Sequence, residues 1–245
     1  MNVKVPPSAW ALCLAILAVS CNGGLNGLVK SPTPVTASTV VTPDRGSLVF
    51  SDDFNDSASG WSTATIGDFR ASFTGSGYVI VARNFVDHDV AAPYGIPKDQ
   101  LSVSVTATEA SGSLSGSGFG ADCDRGLKNP TITYAFVVQV DGTWEMIRHD
   151  QRPGAAKQHS MLKRGTSPKA PGAISITVEL MCATLSDGVT TRLVMFVNST
   201  QVADITDPVS DLPRLGWLGG LVVRGEDSGP TTVTATHFEE RDLTL

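Results

Sequence analysis

The sequence predicts an all-β sandwich or barrel, on three observations. Short β-branched, apolar segments alternate with polar residues along most of the chain, the period-two signature of half-buried strands. Turn chemistry separates these segments, as in Asp141-Gly142 and Ser186-Asp187-Gly188, with 24 Gly and 14 Pro available for turns. Beyond the first twenty residues no segment of helical length carries a 3.6-residue period, so strands are left to build the core.

Taken in order, residues 47–50 open the domain and lead to Asp53-Phe54 and Gly60-Trp61. Residues 77–81 (GYVIV) are a β-branched run, and 101–108 (LSVSVTAT) alternate strictly. Residues 110–120 are nearly all Ser and Gly and predict a loop. The strongest hairpin follows: a strand over 131–140, the Asp141-Gly142 turn and a return strand over 143–148. Residues 149–171 are polar, with one short strand expected around Met161-Leu162. Further strands are expected over 173–182, 191–197, 200–205, 217–223 and 231–238, with no internal repeat.

The N-terminus reads as an export signal. Residues 1–20 carry Lys4 and then the apolar run WALCLAILAV, shorter than the roughly 20 residues a membrane span needs and ending at small residues before a cysteine. Ala18-Val19-Ser20-Cys21 resembles a bacterial lipobox, with leucine one place early at Leu17. Cys21 is therefore expected to carry lipid, placing the protein on the extracytoplasmic side of a bacterial cell membrane. Residues 21–46 are rich in Gly, Ser, Thr and Pro and contain no aromatic residue. Such a segment cannot bury enough surface to order itself and would act as a tether of about 25–30 Å. The folded domain is expected over 47–245.

A net charge of −6 provides no electrostatic footprint for nucleic acid and no polybasic grip on an anionic bilayer, so membrane attachment would rest on the lipid. Of four cysteines, Cys13 leaves with the signal and Cys21 takes the lipid. Cys123 and Cys182 remain, and an even pair in an exported protein argues for a disulfide. Closing a loop of about 60 residues is worth about 4 kcal/mol in the chain-entropy description.

Catalytic motifs are unconvincing, and no catalytic residue is assigned. Ser160-Met161-Leu162-Lys163 has the S-x-x-K form but lacks a helix and the S-D-N and K-T-G companions. Gly116-x-Gly118-x-x-Ala121 has no following helix to hold a pyrophosphate. His88, His149, His159 and His237 lack zinc-ligand spacing and read as surface residues, so no metal ligand is assigned. Asp87-His88-Asp89 and Asp122-Cys123-Asp124 place oxygen donors near expected loops, which makes calcium the one cofactor to weigh; solvated carboxylates are the plainer reading. Asn198-Ser199-Thr200 is a formal glycosylation sequon. Sugar binding favours an exposed ring with polar neighbours, and Tyr94, Trp144, Glu145 and Arg148 are the ligand-binding candidates. Trp61, Tyr134, Phe136 and Trp217 sit in apolar patterns that suit a core.

The order of Asp53-Phe54, Gly60-Trp61, 118–123, Tyr134-Ala135-Phe136, Asp141-Gly142, Cys182, 193–198 and 233–243 resembles the concanavalin A-like lectin/glucanase (laminin G-like) jelly roll of bacterial exported proteins, over residues 47–245. The resemblance implies two curved antiparallel sheets, a concave face that holds carbohydrate in many members, and a Cys123–Cys182 pair. The E-x-D-x-E strand of its glucanases is missing: Glu109, Glu145, Glu179, Glu226, Glu239 and Glu240 do not form it. The expected function is a non-catalytic binding module for a cell-envelope glycan or polysaccharide. The alternatives are a structural or protein-interaction domain and, third, a glycoside-active enzyme with a non-standard carboxylate pair.

Overall fold

Strands account for every regular element in the computed structural model, which describes residues 44–84, 87–109, 116–126, 132–155, 157–167, 175–210, 212, 216–226 and 229–244. The fifteen strands are β1 (Asp44–Asp52), β2 (Ala64–Ile66), β3 (Phe69–Thr74), β4 (Gly77–Ala82), β5 (Asp87–Ala91), β6 (Gln100–Glu109), β7 (Gly118–Arg125), β8 (Ile132–Gln139), β9 (Thr143–Asp150), β10 (His159–Thr166), β11 (Ile176–Thr184), β12 (Thr190–Val197), β13 (Thr200–Pro208), β14 (Leu218–Arg224) and β15 (Thr231–Thr244). They form two antiparallel sheets. One has nine strands in the order β13-β12-β11-β6-β15-β4-β3-β2, with β1 also on β15; the other has six in the order β10-β9-β8-β7-β14-β5. This is the expected jelly-roll sandwich. The signal (1–20), Cys21 and the tether as far as residue 43 lie outside the described residues, and β1 begins at Asp44.

The core follows from alternation. In the six-stranded sheet Phe119, Ala121 and Cys123, then Ile132, Tyr134, Phe136 and Val138, then Trp144 and Met146, and Leu221 with Val223 all point inward. They meet Leu101, Val103, Val105 and Ala107 on β6, and Ile176, Val178, Leu180 and Cys182 on β11. Cys123 and Cys182 are bonded, with Cα atoms 6.5 Å apart, and tie β7 to β11 through the middle of the sandwich. At one end Phe54, Trp61, Tyr78 and Phe238 pack together at centroid distances of 4.8–5.7 Å, an arrangement that adds to plain area burial. Phe54 holds a positive φ of 56°, a conformation costly for a bulky residue. It is kept there by burial and by its amide donating to Asp52 Oδ1 at 2.6 Å, while Asp52 Oδ2 accepts from Trp61 Nε1 at 2.9 Å.

The predicted hairpin forms as β8–β9, with Gly142 at φ 85° and its amide bonded to Gln139 O. Asn198 and Ser199 both have positive φ (48° and 62°) and join β12 to β13 in two residues. The sequon is thus the body of a type I′ turn. Four strands go beyond what the sequence indicated. β2, β3 and β5 are short and weakly patterned, and β7 begins at Gly118, inside the segment expected as a loop. Glycine is required within β7: a Cβ on Gly120 would fall 1.6 Å from Phe136 O. The short strand expected around Met161-Leu162 is the eight-residue β10, so Ser160 and Lys163 lie on a strand and not on the helix their motif needs.

Candidate functional site

The outer face of the six-stranded sheet carries the residues that alternate with the core. Strand pairing sets them in rows across it. His159, His149, Thr133, Asp124 and Leu218 form one row; Met161, Ile147, Ala135, Asp122, Gly220 and Ala91 the next. Arg164, Glu145, Val137, Gly120, Val222 and Asp89 form the third, and Gln139, Gly118, Arg224 and Asp87 the last. The face is curled. Asp87 on β5 and His149 on β9 are four strands apart, about 19 Å on a flat sheet, yet Asp87 Oδ2 and His149 Nε2 lie 3.1 Å apart. The resulting cleft of about 570 Å³ is lined by Asp87, Asp89, Glu145, Ile147, His149, Gln151, His159, Met161 and Arg224.

A charged strap crosses this concavity. Arg224 donates from Nε and Nη2 to the two oxygens of Asp87 at 2.7 and 3.1 Å, and from Nη1 to Glu145 Oε2 at 2.6 Å. It reaches from β14 to β9 at the level of Gly118 and Gly120, which have no side chains to obstruct it. His149 then contacts His159 through their Nδ1 atoms at 2.8 Å. The chain Asp87–His149–His159 constrains protons. Asp87 is held as a carboxylate: burial raises its pKa, but hydrogen bonds from His149 and Arg224 outweigh that and bring it to about 2. His149 Nε2 must therefore donate to it. Two facing Nδ1 atoms share one proton, so one ring donates to the other across the contact. Ala135, Val137 and Val222 form a separate, fully buried apolar cluster at this level of the outer face.

Acidic groups next to the strap behave differently. Asp89 is exposed, and among the described residues it has no hydrogen-bond or ion-pair partner. Its carboxyl stands in the concavity, where lost hydration raises its pKa to about 6; His149 pulls it down, and Asp87 and Asp124 push it up. Asp122 is 3% exposed and its Oδ2 has no hydrogen-bond partner. Burial first, then the fields of Asp89, Asp124, Glu240 and Asp87, push it well above the usual carboxylate range. Asp124 rises to about 6 by desolvation, against an opposing hydrogen bond from Thr133.

The candidates named from sequence separate by strand parity. Glu145 faces the cleft. Trp144 and Arg148 face the other way. Trp144 is 3% exposed, in the core 6.0 Å from Phe136, so the exposed ring expected there is absent. Arg148 pairs with Asp207 at 2.7 Å, and the same carboxylate oxygen accepts from Tyr134 Oη at 2.8 Å. Tyr94 is 61% exposed in the β5–β6 connection, edge-on to Phe50, and is not part of the cleft lining. The Asp87–Asp89 and Asp122–Asp124 pairs, expected near loops, lie within strands β5 and β7, which is why both members of each share a face. His149 and His159, read as separate surface residues, are cross-strand partners. Among the described residues no group of three or more His, Cys, Asp or Glu is arranged to hold a metal ion. Asp87, Asp89, His149, His159 and Arg224 were not singled out as site residues. The one available signal was D-x-D spacing at 87–89, and it does not reveal which strands lie opposite.

No protein-family model matches the chain, and no curated protein matches it in sequence. Likeness appears at the level of solved structures. A Bacillus subtilis protein with a galectin-like fold superposes at TM-score 0.57 and 9% identity, over 83% of this chain and 99% of that one. The metal-free carbohydrate recognition domain of Emp46p superposes at 0.54 and 8% identity, over 84% and 100%. The alginate lyase Aly36B superposes at 0.50 and 11% identity, over 80% and 97%. At these identities the similarity is one of fold.

Proposed function

We propose that the protein is a non-catalytic glycan-binding module, carried outside the cytoplasm on a lipid at Cys21, whose ligand sits in the cleft on the outer face of the six-stranded sheet. The observation that carries the reading is the cleft itself: a pre-formed concavity with an apolar floor of Ile147 and Met161 edged by Glu145, Gln151, His159 and Asp89. Few well-placed polar groups over an apolar floor is the general form of a small-ligand site. Glu145 and Gln151 can accept and donate to sugar hydroxyls, and Met161, 52% exposed, offers an apolar surface to a pyranose face. The likeness to the Emp46p carbohydrate recognition domain supports a carbohydrate over other small ligands. Cleavage, as in the alginate lyase of similar fold, has no comparable support from the cleft, because Asp87 is held by Arg224 and His149 and Arg224 is spent on Asp87 and Glu145.

A glycan array probed with the purified domain tests the reading. Binding to at least one glycan, weakened tenfold or more by His159→Ala, is the expected result. Silence across the array, or binding indifferent to both His159→Ala and Glu145→Gln, would sink it. Loss of membrane fractionation in Cys21→Ala tests the anchor.

A further inference from the structure

Resting on the glycan reading, we infer that the ligand is an extended glycan chain, longer than a disaccharide, that lies along the β9–β10 hairpin through two adjoining cavities. Glu145 and Arg164 hold the sugar where the cavities meet. Beside the cleft, on the same outer face, is a second cavity of about 430 Å³, lined in part by Gln139, Thr143, Glu145, Arg164 and Thr166. Glu145 lines both cavities. The two follow the hairpin in line: His149 and its cross-strand partner His159 lie in the first, Thr143 and its partner Thr166 in the second. Six residues of strand separate His149 from Thr143, about 20 Å, which no disaccharide spans. Each cavity by itself has the size of a small-ligand site; sharing Glu145, they make a trough for a chain.

The junction has a chemistry that suits a sugar. Arg164 stands directly opposite Glu145 across the two strands, a placement in which opposite charges ordinarily pair. Here they do not. Arg224 Nη1 holds Glu145 Oε2 at 2.6 Å from the other side. Arg164, exposed on the edge strand, has no hydrogen-bond or ion-pair partner among the described residues. Glu145 Oε1 is likewise unbonded there, and it is not enclosed. The trough thus presents a donor-only guanidinium and an acceptor-only carboxylate oxygen side by side. Adjacent hydroxyls of a pyranose, each able to donate and to accept, satisfy both at once. Ile147 and Met161 continue the surface on one side of the pair, and Gln139 and Thr166 on the other, so a ligand confined to the first cavity would leave the second set of polar groups unused.

Calorimetry on the full chain tests this with cello-, manno-, N-acetylchito- and alginate oligosaccharides of two, four and six units. In at least one series the six-unit member should bind at least tenfold more tightly than the two-unit member. Arg164→Ala should abolish that gain, with disaccharide affinity changed less than twofold and the melting temperature unmoved. His159→Ala, in the first cavity, should weaken both lengths alike. Equal binding at all three lengths overturns the extended chain while leaving the glycan reading intact. A length gain that survives Arg164→Ala overturns it as well, by placing the remainder of the chain elsewhere on the surface. Silence in all four series overturns the inference, and a silent array beside it removes the glycan reading too.

Discussion

The inner and outer faces of the six-stranded sheet are built by the same strands, residue alternating with residue, and they solve opposite problems. Inward, Phe119, Tyr134, Phe136, Trp144 and Leu221 fill space; Tyr134 and Arg148 meet on Asp207 and Gly219 N donates to Glu240 at 2.9 Å, while Trp144 Nε1 and Arg148 Nε are left without a hydrogen-bond partner. Outward, Arg224 ties Asp87 to Glu145, while among the described residues Asp89 has no hydrogen-bond or ion-pair partner and Asp122 keeps an unbonded oxygen. The faces therefore differ in charge more than in polar satisfaction: the inner one is filled by apolar side chains, and the outer one gathers Asp87, Asp89, Asp122, Glu145 and Arg224 along its rows.

The inner face breaks most visibly at its covalent link. Replacing Cys123 and Cys182 together by alanine should cost about 4 kcal/mol, lowering the melting temperature by roughly 10 °C; calorimetric or circular-dichroism melting measures it. On the outer face Arg224→Met should cost about 3 kcal/mol, because Asp87 and Glu145 would face each other without their shared cation. Replacing all three residues by apolar ones of similar size should recover most of that loss, as urea unfolding would report.

A smaller effect follows from pH. Asp89 and Asp124 have folded pKa values raised to about 6, so between their unfolded values near 4 and that point the native state binds more protons, and stability falls as pH rises. Asp87, lowered to about 2, acts in the opposite sense and withdraws its contribution as pH drops below about 4. The melting temperature should therefore be higher near pH 5 than at pH 7.5, and fall again below pH 4; a monotonic rise with pH would contradict the assignment. Smallest of all, Asp122→Asn should raise the melting temperature slightly at pH 7.5, since an amide has no charge to desolvate, and should flatten the pH profile.

Much of the fold was legible along the chain. The alternation over residues 101–108 became β6, Asp141-Gly142 became the β8–β9 turn, and Cys123 and Cys182, expected to pair, became a disulfide. Each is a local signal, or a count, that needs no knowledge of neighbours in space. The site was legible only in part. Glu145, a ligand-binding candidate from the sequence, lines the cleft, whereas Trp144 and Arg148, its neighbours in sequence, do not, because adjacent residues on a strand face opposite ways.

What the sequence by itself decided is the class of structure: period two, turn dipeptides and a paired cysteine count are properties of consecutive residues, and they dictate strands, hairpins and a cross-link. What only the tertiary structure decided is which outward residues meet. His149 and His159 are ten residues apart, and Asp87 and Arg224 well over a hundred. Their meeting depends on strand order and on the curl of the sheet. Both arise from how two twisted sheets bury a common core, which no stretch of the chain encodes alone.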